Sequence, residues 1–144
     1  MVDEHTYEES TMTTRIGING FGRIGRLVVR GLSGRDGIEV VHVNDPQADV
    51  GTAAHLLQFD SVHGRYAGEV STDGTSMTVD RTAVTYSSQD TPAAVPWTDH
   101  GVDIVLECSG KFKTAETLQP YLDGGVRKVI VAAPVTADGV LNIV

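Results

Sequence analysis

The sequence predicts an α/β fold: a parallel sheet with helices on both faces and a small antiparallel insertion. Three observations predict it. Short β-branched runs alternate along the chain with segments whose apolar residues recur at helical spacing. A glycine-rich loop joins the first of these runs to the first helical segment. The length of 144 residues is sufficient for one domain with a core of its own.

The beginning of the chain has the pattern of a complete βαβ unit. Residues 15–19 form a short strand, and the second strand covers the β-branched run 38–43. Between them, apolar residues recur along one face of a helix that ends near Gly34 and Gly37. That face consists of Ile24, Leu27, Val28 and Leu32. The second strand ends at the turn Asn44-Asp45-Pro46.

The middle of the chain changes character twice. Asp49 is a candidate N-cap for a helix that runs to about Phe59. The stretch 62–88 then alternates apolar and polar residues in "SMTVD" and "TAVTY", which predicts the small antiparallel insertion.

The last third returns to alternating strands and helices. Residues 102–107 and 128–133 are predicted strands, and a helix is expected over 114–122. Pro120 should kink or shorten that helix, because proline lacks a backbone donor. Parallel strands with intervening helices imply right-handed crossover connections.

Composition limits the classes of function. Residues 1–13 form a polar, acidic stretch that we expect to be a flexible tail, which leaves residues 14–144 as one folded domain. The net charge of -8 disfavours nucleic acid as a partner. No apolar run is long enough for a membrane helix and no secretory signal is visible, so we expect a cytoplasmic protein. Cys108 is the single cysteine, and no internal disulfide is possible.

The glycine loop is the strongest functional signal. Gly20, Gly22 and Gly25 form the pattern G-x-G-x-x-G between a predicted strand and a predicted helix, as in Rossmann-type dinucleotide-binding folds. The first glycine permits a tight turn, the second lets a diphosphate approach the main chain, and the third lets the helix pack closely on the sheet. A glycine-rich turn without a ligand remains the alternative for the pattern itself.

Two further features make NAD the expected cofactor. The N-terminus of the helix offers unpaired main-chain N–H groups near Arg23 and Ile24 to an anion. Asp45 lies at the end of the second strand, about 20 residues beyond the last glycine, where an acid accepts hydrogen bonds from a ribose diol. The same carboxylate repels a 2′-phosphate and therefore favours NAD over NADP.

Six segments carry a resemblance to a known family. The chain resembles phosphorylating, NAD-dependent glyceraldehyde-3-phosphate dehydrogenase over residues 14–144, and specifically its N-terminal NAD-binding domain. The segments are "GINGFGRIGRL", "VNDP", "FDSVHGRY", "VPW", "DIVLECSGKF" and "GGVRKVIVAAP". The cofactor-binding residues that the resemblance implies are Gly20, Phe21, Gly22, Arg23, Ile24, Gly25, Asn44, Asp45, Gln89, Ser109 and Gly110. Gln89 departs from the family, which often has arginine there, and Ala132 and Val135 replace the pattern "SAPS".

The resemblance also implies a reaction whose catalytic residues this sequence lacks. In the family, a cysteine adds to the small phosphorylated aldehyde, a histidine acts as base, hydride passes to NAD, and phosphate releases the thioester as 1,3-bisphosphoglycerate. The cysteine lies in a "SCTTN"-like motif that is absent here, and Cys108 is expected to be a small buried residue instead. The chain therefore resembles the cofactor half of a glycolytic oxidoreductase, inactive alone, which forms a tetramer when full length.

The sequence leaves other interpretations open. A stand-alone NAD(H)-binding module or redox sensor would need the same glycine loop, and a fragment that only mediates subunit contacts is a third possibility. The histidines show no metal-binding spacing. Arg26 and Arg30, one helical turn apart, are expected to form a solvated face.

Overall fold

The structure is a computed structural model that describes residues 12–143. The predicted tail 1–13 lies outside the described residues apart from its last two. The strands are β1 (Thr14–Asn19), β2 (Ile38–Asn44), β3 (Phe59–Asp60), β4 (Gly64–Arg65), β5 (Val70–Thr72), β6 (Ser76–Val79), β7 (Thr82–Ser87), β8 (Ile104–Glu107) and β9 (Lys128–Val131). The helices are α1 (Arg23–Leu32), α2 (Val50–Gln58) and α3 (Ala115–Asp123), with 3-10 turns at Pro92–Ala94 and Thr98–His100.

The main sheet has seven strands in the order β5-β6-β7-β2-β1-β8-β9. Strands β7, β2, β1, β8 and β9 run parallel to one another, as the alternating pattern predicts. The predicted antiparallel insertion is confirmed as β5, β6 and β7, but it extends the edge of the main sheet because β7 pairs with β2. A separate two-stranded hairpin consists of β3 and β4.

One face of the sheet packs against α1 and α2. Ile16 and Ile18 of β1 are buried there beside Val29 of α1 and Leu57 of α2. The cluster continues to Val84 on β7, so the antiparallel extension shares the same core. This packing fixes the N-terminus of α1 relative to the end of β1.

The other face packs against α3 and the 3-10 segment. Trp97 and Tyr121 are almost completely buried, with ring centroids 5.7 Å apart. Gly17 faces this side, and a Cβ atom there would lie 2.9 Å from the Trp97 ring. A shift of register between β1 and β2 allows both Val41 and His42 to face this second cluster. Helices on both faces are therefore confirmed.

The helix ends agree with the sequence pattern, with one difference. Asp49 caps α2 by accepting a hydrogen bond from Thr52 N–H at 2.7 Å, as predicted. Thr114 caps α3 in a reciprocal arrangement with Thr117. The helix α3 continues through Pro120 to Asp123. Only one helical hydrogen bond is lost at the proline, and the carbonyl left free belongs to an exposed turn.

The expectation of a solvated arginine face on α1 is wrong. The Arg30 guanidinium donates to the carbonyl oxygens of Leu57, Gln58 and Gly64, at 2.7 to 3.3 Å, and lies over the Tyr66 ring. It thereby caps the C-terminus of α2, where carbonyl groups have no helical partner. None of the helices within residues 12–143 has the length and apolar character needed to cross a membrane.

Candidate functional site

The candidate site lies where the strand order changes direction. Strand β2 pairs with one side of β1 and β8 with the other, so the loops after β1 and β8 diverge onto opposite faces of the sheet. In α/β folds, ligands bind in the crevice at the carboxyl ends of such strands. Asn19 and Glu107 end these two strands directly opposite each other. The loops that follow them begin with Gly20 and, after Cys108, with Ser109.

Two of the three glycines are required by packing within the chain. Gly20 has a φ of +90°, and a Cβ atom there would lie 2.5 Å from the backbone of Ser109. A Cβ atom on Gly25 would lie 2.2 Å from the Gly20 carbonyl oxygen. Any larger residue at either position forces the loop apart.

Gly22 differs from the other two glycines because it faces open space. Nothing lies within 4 Å of the position where its Cβ atom would be. It is the N-cap residue of α1 and makes no side-chain cap, and the first turn of the helix contains no acidic residue. Arg23 and Ile24 follow it at the surface. The positive end of the helix dipole and its free N–H groups therefore stay available to an anion.

Asp45 holds the glycine loop from the end of β2. Its Oδ2 accepts a hydrogen bond from Phe21 N–H at 2.6 Å, and its Oδ1 accepts one from Gln47 N–H at 2.7 Å. The residue is 7% exposed. Because a carboxylate has about four acceptor positions, these two bonds leave capacity for a hydroxyl group. A ribose contact is expected here from the sequence, whereas the bond to the glycine loop is evident only in the structure.

A row of buried polar side chains crosses the sheet just below the candidate site. Glu107, Asn19 and Asn44, which end β8, β1 and β2, form what we call the strand-end network. Asn19 Nδ2 donates to Glu107 Oε2 at 2.8 Å, and Asn44 Nδ2 donates to Asn19 Oδ1 at 2.8 Å. All three residues are at most 3% exposed.

The network holds the two other loops that were predicted to contact the cofactor. Gln89 N–H donates to Asn44 Oδ1 at 2.8 Å, and the Gln89 carbonyl accepts from Asn44 Nδ2 at 2.9 Å. Ser109 N–H donates to Glu107 Oε1 at 2.8 Å, and its hydroxyl donates to the same oxygen. Gly110 follows with a φ of +73° and open space where a Cβ atom would be.

Sequence reasoning missed Asn19, Glu107 and Tyr121 as parts of this region. The Tyr121 hydroxyl donates to Glu107 from the far side of the sheet, from α3. Burial, and then the charge of Glu107, raise the pKa of Tyr121. The sequence does carry a signal for two of them, because Asn19 ends the apolar strand "RIGIN" and Glu107 ends the apolar strand "VDIVLE". A polar residue buried at such a strand end needs a hydrogen-bond partner.

Cys108 lies beside the site but has the properties of a packing residue. It is half-buried and packs against the core cluster formed with α1 and α2. Burial, and then the charge of Glu107, raise the pKa of its thiol to about 11. The thiolate needed for nucleophilic attack is therefore disfavoured at neutral pH.

A metal site and a pocket away from the crevice are two further candidates for chemistry. Residues 12–143 contain no group of three or more His, Cys, Asp or Glu side chains that could hold a metal ion. A pocket of about 400 Å³ lies at the opposite end of the sheet, between the C-terminus of α1 and the β6–β7 turn. Its acidic residues include Asp80, which already accepts hydrogen bonds from Ser33 and Tyr66.

Comparisons with known proteins identify the family of the chain. A family model described as the glyceraldehyde 3-phosphate dehydrogenase NAD binding domain matches residues 14–115. Glyceraldehyde-3-phosphate dehydrogenase 3 of Nostoc sp. is 53% identical over 133 residues, which are 92% of this chain and 39% of that protein. The Debaryomyces hansenii enzyme is 47% identical over 123 residues, 85% of this chain and 37% of that protein. The chain thus spans less than two-fifths of the length of these relatives.

Proposed function

The chain belongs to the NAD-binding domain family of glyceraldehyde 3-phosphate dehydrogenases, whose cofactor is NAD, and we propose that it is the cofactor half of a phosphorylating member. One observation carries the proposal. Gly22 is open to solvent on an uncapped helix N-terminus at the carboxyl ends of β1 and β8, while Gly20 and Gly25 are fixed by backbone contacts. The residues present therefore fit a dinucleotide whose diphosphate rests on bare main chain.

Each predicted site residue has a proposed role. The N–H groups of Arg23 and Ile24 donate to the diphosphate at the N-terminus of α1. Asp45 accepts hydrogen bonds from the adenosine ribose and disfavours a 2′-phosphate by charge repulsion. The Ser109–Gly110 loop and Gln89 line the two sides of the crevice. The Phe21 N–H joins the glycine loop to Asp45, and Asn44 holds the loop that contains Gln89.

The complete reaction needs groups beyond this chain. Bound NAD supplies a hydride acceptor, and this chain supplies its binding and orientation. We propose that the cysteine nucleophile, the histidine base and the residues for the phosphorylated aldehyde belong to the remainder of a longer, glycolytic enzyme, cytoplasmic and tetrameric. The raised pKa of Cys108 supports this assignment, because the thiol is a poor nucleophile at neutral pH.

Calorimetric titration of NAD into the chain tests the proposal. We expect one site per chain, weaker binding of NADP, and a loss of about tenfold or more in NAD affinity for Asp45→Ala, which removes a buried acceptor. Asp49→Ala is the matched control: it removes a nearby carboxylate that also accepts from a backbone N–H but caps α2 instead, and it should leave the affinity unchanged. No heat of binding at millimolar NAD would exclude a competent site.

A further inference from the structure

Glu107 is a buried acid whose carboxylate is surrounded by donors. It is 1% exposed. Its Oε2 accepts from Asn19 Nδ2 and from the Tyr121 hydroxyl, and its Oε1 accepts from the N–H and the hydroxyl of Ser109. Among residues 12–143, no Lys, Arg or His forms an ion pair with it.

The donor arrangement requires a carboxylate at this position. An ionised carboxyl group only accepts hydrogen bonds and has about four acceptor positions, which four donors fill here. A buried charge without such partners is strongly unfavourable. A glutamine side chain has the same shape but carries an NH₂ group in place of one carboxylate oxygen. That NH₂ group would face the donors that now bond to this oxygen, so a hydrogen bond would be lost.

Within the strand-end network, Glu107 bonds directly to both sides of the crevice. It bonds to Asn19 at the end of β1 and to Ser109 in the loop after β8. Through Asn19 it connects to Asn44 and from there to Gln89. Its bond to Ser109 holds the loop after β8. The Ser109 backbone lies directly against Gly20, where an added Cβ atom would be only 2.5 Å away. A displacement of Ser109 therefore changes its contact with the glycine loop.

We propose that Glu107 is a positioning residue for the cofactor: its carboxylate sets the spacing between the glycine loop and the Ser109–Gly110 loop. This inference rests on the proposed function. In this role Glu107 does not contact the cofactor itself. It acts through Ser109 on one side and through Asn19 on the other, so NAD affinity depends on the direction of each hydrogen bond in the network.

A reversal of hydrogen-bond direction is the main test. In Glu107→Gln the amide group faces another donor, and we expect the calorimetric NAD affinity to fall about tenfold. Adding Asn19→Asp restores a matched pair, because the introduced amide then donates to a carboxylate that still accepts from Asn44. We expect the double variant to bind NAD within about threefold of wild type. A packing role alone predicts no such recovery.

Tyr66→Phe is the matched control. It removes a tyrosine hydroxyl that donates to a different carboxylate, that of Asp80, at the end of the sheet away from the crevice. We expect a lower melting temperature with NAD affinity unchanged within about twofold, since no bond of the strand-end network is lost. If Tyr66→Phe weakens NAD binding as much as Glu107→Gln does, the effect is general loss of stability and the positioning role is wrong.

The outcomes separate this inference from the proposed function. If wild type does not bind NAD, the proposed function fails and this inference falls with it. If wild type binds but Glu107→Gln binds equally well, or the double variant shows no recovery, only the inference is overturned. Where the variants do not fold, hydrogen exchange of the Ser109 amide in wild type without NAD decides: slow exchange supports positioning by Glu107, and exchange at the rate of an open loop overturns it.

Discussion

Gly20 and Gly22 lie in the loop before α1 and Gly25 lies in the first turn of that helix, and an added Cβ atom would not meet the same surroundings at all three. At Gly20 and Gly25 it would collide with backbone atoms, whereas at Gly22 it would point into open space. The structure thus separates the two glycines that the fold needs from the one whose open face we propose for the diphosphate. A substitution at Gly22 should therefore change NAD affinity, whereas one at Gly20 or Gly25 should change the free energy of unfolding.

Gly22→Ala should lower NAD affinity by about tenfold or more while costing less than about 1 kcal/mol of folding free energy. The added methyl group occupies the space proposed for the diphosphate, and the φ of -72° suits alanine. Gly25→Ala should cost about 2–3 kcal/mol, because its methyl group collides with a carbonyl oxygen. Urea denaturation and NAD titration of both variants check this. Unchanged NAD affinity in Gly22→Ala would show that the diphosphate lies elsewhere.

At the residue scale, the sequence was informative about local signals and silent about distant pairs. The loop glycines and Asp45 could be predicted because their spacing along the chain is itself the signal. The Asn19–Glu107 bond could not, because its partners are 88 residues apart and meet only when β1 and β8 pair.

Arg30 connects three elements that the sequence presents separately. It reaches from α1 to the last carbonyl groups of α2 and to Gly64 of the β3–β4 hairpin. Periodicity predicts which face of a helix is apolar, but it does not show whether a neighbouring helix ends against the polar face. For that reason the arginine was expected in solvent.

Arg30→Ala should lower the free energy of unfolding by about 2 kcal/mol, since charged donors to helix-end carbonyl groups are lost. NAD affinity should not change, because Arg30 lies away from the crevice. Arg35→Ala is the control: within residues 12–143 the side chain of this exposed arginine bonds only to the Gly31 carbonyl of its own chain segment, so the change should cost less than about 0.5 kcal/mol. Equal effects in urea denaturation would refute the capping role.

The antiparallel segment shows a second limit at the scale of elements. The alternation in "SMTVD" and "TAVTY" predicted a small antiparallel insertion, and β6 and β7 form its hairpin. The pairing of β7 with β2 depends instead on shared burial, with Val84 and Val43 in one cluster. Strand patterns show which face is buried, but the identity of the neighbouring strand is a property of the assembled sheet.

At the scale of the whole molecule, a buried histidine links folding to pH. His42 is fully buried, stacked on His100 with ring centroids 4.0 Å apart. Its ring nitrogens contact the hydroxyl groups of Thr85 and Ser87. Burial, and then the proximity of His100, lower the pKa of His42 to about 3. The unfolded chain therefore binds one more proton than the folded chain between the two pKa values, and stability falls as pH falls through that window.

His42→Gln should reduce this pH dependence. Wild type should lose up to about 1.4 kcal/mol per pH unit through His42 as the pH falls below its unfolded pKa of about 6.5. The variant should lack this contribution while keeping the losses from other groups. Urea denaturation at several pH values measures the difference. His55→Gln, which removes an exposed histidine, is the control and should follow wild type. Parallel curves for wild type and His42→Gln would contradict a neutral buried ring.

The most direct test of the account is an NMR titration of the labelled chain with NAD, followed through the backbone amide signals. The central claim is that the diphosphate binds to the open main chain at the N-terminus of α1. We predict that the largest shifts occur at the amides of Gly22, Arg23 and Ile24, where the helix leaves N–H groups unpaired. Unmoved signals at these three residues, with shifts grouped around the pocket near Asp80, would contradict it.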